Sequence, residues 1–174
     1  DKVKSAVSDG TVIRTNGSYT QKAESSTNAL VITVAAAGSS NNAVGGNLGA
    51  IVMKNRSDAL IGKQVSLTAD GDVTVKALQN SELFLIAASA AVSGSKAALG
   101  GTLNVTVNGT EANVIVNDGT TIRSEKGSVL LNADTKEKLI SVLASASAAL
   151  GGTGAAGVLS VLVSGSKTVA DIGK

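Results

Sequence analysis

The chain has 174 residues and a formal net charge of +2, and it contains no histidine, no cysteine and no proline. Without histidine and cysteine, imidazole general bases, thiol nucleophiles and the common zinc sites are excluded. The nearly balanced charge, with basic residues scattered along the chain, argues against nucleic acid or an anionic membrane surface as the main partner.

The hydrophobic residues are small and uniform. They make up 43% of the chain, which nevertheless has one Phe, one Tyr, one Met and no Trp. Ala, Val, Leu and Ile must therefore do nearly all of the packing, which suits a narrow and repetitive interior. Each proline would remove a donor from a strand ladder, so the lack of proline favours long, continuous backbone pairing.

Internal repeats organise the chain. Asp9-Gly10-Thr11 recurs as Asp118-Gly119-Thr120, 109 residues later. A second marker recurs with spacings of 55 and 51 residues, at Val44-Gly45-Gly46, Leu99-Gly100-Gly101 and Leu150-Gly151-Gly152. Repeats of this length predict a stacked array, here a single segment over residues 1–174 made of about three imperfect units of roughly 54 residues.

Apolar and polar residues alternate in several segments. The alternating apolar positions include Val65, Leu67, Ala69, Val73, Val75, Ala77, Leu103, Val105 and Val107. This period of two predicts half-buried strands with these side chains inside. Turn signals follow one another too closely for crossover helices, at Asp70-Gly71-Asp72, Asn108-Gly109, Asn117-Asp118-Gly119 and Lys126-Gly127-Ser128. We therefore predict an all-β parallel solenoid in which each unit forms two or three coils, about eight in all, at roughly 4.8 Å per coil.

Ala-rich pieces at Ala87 to Ala98 and Ala144 to Ala149 could form helices on propensity alone. Serine alternates with alanine within the second piece, which favours strands. The segment from Leu139 to Val163 carries no charge and is long enough for a transmembrane helix, but serines and threonines interrupt it, so strands with small-residue turns are favoured. Asp1 to Ser5 is charged and opens no signal peptide, so we expect the chain to be cut from a longer protein.

One block carries a family resemblance. Residues Ala87 to Val107, followed by Thr110-Glu111-Ala112-Asn113-Val114, resemble the repeat of leukotoxin-type filamentous adhesins, giant exoproteins related to filamentous haemagglutinin. The resemblance implies a right-handed parallel β-helix, two-partner (type V) secretion, a location outside the cell or on the bacterial surface, and a role in virulence through host-cell attachment or leukocyte killing. The family's usual aromatic after the Thr-x-Ala element is Asn113 here, which leaves the subfamily open.

No residue is predicted to be catalytic, to bind a cofactor or to ligate a metal. Asp70 and Asp72 could contribute to a calcium site, but calcium needs six to eight oxygens, so a turn is favoured. Ser95-Lys96 and Ser166-Lys167 could suggest a Ser-Lys dyad, although a solvated repeat feature is favoured. Other acids lie near turns without obvious convergence, namely Asp58, Glu111, Asp118, Glu125, Asp134 and Glu137. Asparagines near strand ends could stack as amide ladders, namely Asn104, Asn108, Asn113, Asn117 and Asn132.

The main functional hypothesis is a non-enzymatic stalk segment, whose partners are neighbouring repeats of the same long chain. A competing hypothesis is an exposed face that binds a host-cell surface receptor or a glycan, for which Tyr19 and Phe84 are the only aromatic candidates. A third is a membrane-active toxin segment that inserts Leu139 to Val163. A β-helical polysaccharide-degrading enzyme is the least favoured, because it needs charged groups that converge in a groove.

Overall fold

The computed structural model describes residues 1–174 as ten strands without any helix. The strands are β1 (Lys2–Val7), β2 (Val12–Thr15), β3 (Tyr19–Ser39), β4 (Asn42–Ile61), β5 (Ser66–Ala69), β6 (Val73–Ser93), β7 (Ala97–Val116), β8 (Thr121–Ser124), β9 (Val129–Ala149) and β10 (Thr153–Ile172). Helices that could cross a bilayer are therefore absent. The region from Leu139 to Val163 forms the end of β9 and the start of β10, as the strand prediction requires.

All strand pairs are parallel and belong to three sheets. Sheet A has the order β1-β4-β7-β10, sheet B the order β2-β5-β8, and sheet C the order β3-β6-β9. The chain visits sheets A, B and C in turn and then returns to A, which makes one coil. Residues in register are 54 to 56 positions apart, as in the pairs Val12 with Ser66 and Ala97 with Thr153. The predicted fold class, an all-β parallel solenoid, is confirmed.

The number of coils differs from the prediction. Each repeat unit forms one coil, so the chain makes three coils and a final strand instead of about eight coils. The reason is the length of the strands in sheets A and C, which reach 20 and 21 residues and so extend roughly 65–70 Å. The Asn108-Gly109 signal lies inside β7 and does not turn the chain. The stack is a flat slab, with four strands of sheet A spanning about 14 Å.

Sheets A and C face each other along their length. Asn47 Nδ2 of β4 donates to Thr33 Oγ1 of β3 at 2.9 Å, and Gln21 Nε2 donates across to the Leu60 carbonyl at 3.0 Å. Sheet B closes one end of the slab, which we call the base. Short turns close the opposite end, which we call the tip, at residues 40–41, 94–96 and 150–152.

The main hydrophobic core lies in the base. It consists of twelve buried side chains, namely Ala23, Ala59, Ile61, Val65, Leu67, Ala69, Val73, Val75, Ala77, Ala112, Val114 and Val116. The alternation predicted from Val65 to Ala77 therefore has the correct face inside. Full burial of an aliphatic side chain such as Leu67 or Ile61 stabilises the fold by about 1.5–3 kcal/mol.

Aspartates in the base turns join successive coils. Asp9 Oδ1 accepts the Lys63 backbone N–H at 2.8 Å, and Asp118 Oδ1 accepts that of Lys174 at 3.1 Å. The residue before each of these donors is a glycine, and a Cβ on Gly62 would lie 2.4 Å from Asp9 Oδ1. The Asp-Gly marker of the sequence is therefore a contact between coils as well as a turn.

The following turn position needs a left-handed backbone. Gly10 and Gly119 both have φ of 69°, and Gln64, which occupies the equivalent position of the coil between them, has φ of 54°. Glycine adopts this conformation without the clash between Cβ and the backbone that other residues incur. Gln64 is thus the strained member of a column of three turns.

We predict that Gln64→Gly raises the free energy of unfolding by about 0.5–1 kcal/mol, because relief of the left-handed strain exceeds the added entropy of the unfolded chain. Urea denaturation followed by circular dichroism measures the change. The reverse substitution, Gly119→Gln, should lower stability in the same assay. Equal stability of Gln64→Gly and the parent chain would contradict the strain at this turn.

The last of the three Gly-Gly markers does not lie in register with the other two. Leu99-Gly100-Gly101 pairs with Ala155-Ala156-Gly157 in β10, whereas Leu150-Gly151-Gly152 lies in the tip turn. The spacing of 51 residues predicted for the last unit is therefore wrong, and the register from β7 to β10 is 56 residues. A Cβ on Gly152 would collide with the Lys96 carbonyl, so this Leu-Gly-Gly serves the turn and not the strand.

Gly100 lies at a close approach of sheets A and C near the tip. A Cβ there would lie 2.6 Å from the Ala146 carbonyl oxygen, while a Cβ on its neighbour Gly101 would meet nothing within 4 Å. We predict that Gly100→Ala destabilises the fold by about 1–3 kcal/mol through this clash. Gly101→Ala is the matched control and should not destabilise. Thermal unfolding of the two variants side by side checks the difference, and equal melting temperatures would contradict it.

Candidate functional site

The most informative surface of the slab is the outward face of its tip half. On β7, the residues predicted to point inward there point outward instead. Leu103, Val105 and Val107 were predicted to lie inside, but they point outward, and the residues between them point inward. Asn104 and Thr106 are only 1% and 3% exposed. The prediction for this strand is wrong, because alternation shows that a strand has two faces but not which face is inside.

The inward side of sheet A is correspondingly polar along this part of the slab, while sheet C adds the buried Leu83 and Leu85. Thr102 Oγ1 donates to Ser89 Oγ at 3.0 Å, and Asn108 Nδ2 donates to Glu137 Oε1 at 2.6 Å. Four buried side-chain oxygens have no protein hydrogen-bond partner, namely Thr27 Oγ1, Asn104 Oδ1, Asn108 Oδ1 and Thr110 Oγ1. A buried polar atom without a partner costs about 1–3 kcal/mol, so the polar interior does not stabilise the fold in the way the base core does.

Apolar side chains occupy the outside of both long sheets. We call the apolar band the outward-facing residues of 30–38, 84–92 and 140–148 on sheet C and of 44–52, 99–107 and 155–163 on sheet A. The band is well exposed, with Leu30 at 65%, Leu48 at 75% and Leu159 at 60% of their possible surface. Because the strands are in register, these side chains form rows across the coils, such as Leu48, Leu103 and Leu159.

Polar and charged residues bound the band at both ends. Toward the base, the next outward row of sheet C is Asn28, Glu82 and Lys138. Lys54 and Arg56 continue the outward face of sheet A in the same direction. Two of the tip turns are polar, with Ser40-Asn41 and Ser95-Lys96, while the third contains the exposed Leu150. Phe84 lies at the edge of the band with the Lys138 Nζ 5.8 Å from its ring centroid.

Acids form a charged cluster only beside Arg56. Asp58 is buried and accepts hydrogen bonds from Arg56 Nε and from Asn113 Nδ2, both at 2.8 Å, and Glu111 lies 3.2 Å from Arg56 Nη1. The hydrogen bond that Arg56 donates to Asp58, followed by the charges of Asp58 and Glu111, raises the pKa of the Arg56 guanidinium. Arg56 is thus held as a cation that joins two neighbouring coils.

The remaining acids lie apart from this cluster. Asp118 belongs to a base turn, Glu125 pairs with Arg123 on sheet B at 3.0 Å, and Glu137 accepts from Ser164 at 2.8 Å. Asp134 lies outward on sheet C. No group of three or more potential metal ligands occurs.

The predicted turn at Asp70 and Asp72 is confirmed. Both residues lie in the bend between β5 and β6, and Asp72 Oδ1 accepts the Ser128 backbone N–H of the next coil at 2.8 Å. Asp70 lies 3.5 Å from Lys126 Nζ. These carboxylates hold two coils together instead of converging on a common point.

The Ser-Lys pairs do not form dyads. Ser166 and Lys167 are successive residues of β10 and therefore point to opposite faces of the sheet. Ser95 Oγ, in the tip turn, donates to the Ser40 carbonyl at 2.9 Å. Lys96 follows it in the same turn and is exposed.

The prediction of amide ladders is wrong, because no asparagine of the predicted set has another asparagine as its register partner on a neighbouring coil. Asn104 has Gly49 and Ser160 as register partners, and Asn113 has Asp58 and Val169. The two aromatic residues lie on opposite sides of sheet C and do not form a common patch. Tyr19 faces the base interior, where burial raises the pKa of its hydroxyl, whereas Phe84 points outward.

Comparison of the chain with protein-family models, curated proteins and solved structures gives no match. The structure has two unusual surfaces, which are the open end coils and the apolar band.

We predict that Asp58→Asn lowers stability by about 1–2 kcal/mol, because the substitution removes the negative charge that pairs with Arg56 and replaces one of the two oxygens facing Arg56 Nε with an amide donor. Glu111→Gln is the control and should cost less than about 1 kcal/mol, since its ion pair with Arg56 is exposed. Chemical denaturation of both variants measures the two effects. A larger loss for Glu111→Gln than for Asp58→Asn would contradict this assignment.

Proposed function

We propose that the chain is a structural segment of a longer solenoid and stacks end to end with further coils. The supporting observation is a column of register partners that begins at the partly buried Val7 and ends at an open position on β10. Ile61 and Val116 are 0% and 3% exposed, whereas Ile172, at the same position of β10, is 67% exposed. Coverage of Ile172 by one more coil would stabilise the stack by about 1.5–3 kcal/mol.

Other inward positions of β10 support the same proposal. Val158 and Leu162 point into the slab yet are 47% and 52% exposed, because no strand covers them. The outer edges of β9 and β10 also present unpaired backbone groups, which are a template for another parallel strand. A further coil, from the same chain or from a second copy, satisfies both requirements at once.

The biological setting of this proposal comes from the resemblance of residues 87–114 to the repeats of leukotoxin-type filamentous adhesins. On that basis we propose a stalk in a secreted or surface-bound bacterial exoprotein that acts in host-cell attachment or leukocyte killing. A stalk needs length and a repeating interface, and both are properties of a solenoid that stacks coil on coil.

The purified chain should associate through its open ends in a concentration-dependent manner. We predict that Leu162→Lys combined with Ile172→Lys weakens this association by about tenfold or more, because stacking would bury two ammonium groups. Val169→Lys, on the outward face of the same strand, is the matched control and should associate like the parent chain. Sedimentation velocity over a concentration series measures the association. A parent chain that stays monomeric at all concentrations, or a control as weak as the double variant, would overturn the proposal.

A further inference from the structure

We infer that the apolar band embeds in the hydrocarbon core of a lipid bilayer while the base stays in water. The band has the wrong polarity for a surface exposed to solvent, since outward rows such as Ile32, Ile86 and Val142 are apolar on all three strands. The facing interior is mixed, with polar side chains such as Asn104 on sheet A and the buried Leu83 and Leu85 on sheet C. Strands that contact lipid carry apolar side chains on their outward face in the same way.

The height of the band fits a bilayer. On each long strand, five successive outward positions of the band cover nine residues, from Leu30 to Gly38 on β3 and from Val44 to Val52 on β4. At about 3.3 Å per residue they extend roughly 26 Å, and a strand crosses the hydrocarbon core in about 9–11 residues. Charged residues lie beyond the limit toward the base, and two of the three tip turns are polar, so lipid headgroups and water would receive them.

The band also faces outward on both sides of the slab, which decides between lipid and a second copy. A partner copy that packed on sheet A would cover only that sheet and leave Leu30, Ile32 and Val34 of sheet C exposed. Lipid chains cover both faces together.

Backbone groups at the open edges of the end coils have no hydrogen-bond partner in lipid, so bilayer insertion rests on the end-to-end stacking of the proposed function. Stacked coils place the edges of β9 and β10 against a neighbouring coil. The interior polar groups face each other across the slab and stay away from lipid. The charges nearest the band, such as Lys54 and Lys138, have long side chains that can reach the headgroup layer.

Flotation with phosphatidylcholine vesicles tests the inference, and the parent chain should float with them. Leu48→Asp combined with Leu159→Asp on sheet A should reduce the bound fraction about tenfold or more, and so should Ile32→Asp combined with Val142→Asp on sheet C, because a carboxylate resists transfer into hydrocarbon. The matched control changes the outer members of a base row in the same way, Thr20→Asp with Leu130→Asp, and should float like the parent chain.

A depth measurement distinguishes insertion from surface attachment. The chain has no tryptophan, so Ile86→Trp and Thr74→Trp each introduce a single fluorophore on the outward face of β6. We expect bromine atoms at mid-depth of the acyl chains to quench Ile86→Trp strongly and Thr74→Trp weakly. Absence of flotation, loss of binding in the variants of one sheet only, or equal quenching of the two tryptophans would overturn the inference.

Sedimentation without lipid separates this inference from the proposed function. The band variants should stack like the parent chain, since their changes lie on the outside of the coils. Stacking of the parent chain without flotation contradicts bilayer insertion alone. Chemical cross-linking on the vesicle surface tests whether the bound chain stacks. A chain that floats and shows deep quenching but gives no cross-linked stacks contradicts the end-to-end proposal instead.

Discussion

The fold depends on one constraint, which is the parallel backbone ladder between coils at a register of 54 to 56 residues. Of the 108 backbone hydrogen bonds, 89 lie within this strand framework, while only 36 of the 174 residues are buried. The ladder therefore extends far beyond the main hydrophobic core in the base, although a small cluster of Ala43, Ala91 and Ala98 is also buried near the tip. This explains how strands of 20 residues or more can stay paired across a partly polar interior, and why a chain without proline suits the fold.

A fixed register turns the properties of one coil into rows across the slab. Leu48, Leu103 and Leu159 form one outward row, and Ile61 with Val116 forms an inward column that Ile172 continues without cover. A single apolar position on a single strand would be an ordinary exposed residue. When such positions repeat in register on sheets A and C, they form an apolar surface of defined height on both faces of the slab. The height and the two faces together favour a bilayer over a protein partner. The rows also explain the close fit of the aspartates in the base turns, since each meets the same turn one coil later.

Sequence reasoning could predict the features that depend on local chemistry. Parallel strands, the alternation from Val65 to Ala77 and the Asp-Gly turns follow from residue types and their spacing. The size of the coil did not follow, because Asn108-Gly109 has the composition of a turn but is held extended by its neighbours in register. The face of β7 also did not follow, because alternation is the same whichever side is covered. Nothing in the sequence of β7 alone shows that Asn104 faces the glycine at position 49 and so fits inside.

The base and the tip half of the molecule have different physical roles. In the base, aliphatic columns and charge contacts such as Arg56 with Asp58 stabilise each coil on the next. In the tip half, glycine and small side chains let the sheets approach closely, as at Gly100, and many aliphatic residues are placed outside, although Leu83 and Leu85 of sheet C stay inside. Each coil that stacks through the base therefore adds one more outward row, about 4.8 Å wide, to both faces of the band. End-to-end assembly and the outward apolar surface are thus coupled: the array that covers the open ends also enlarges the area that lipid would cover, and a longer solenoid would bind a bilayer more strongly than a short one.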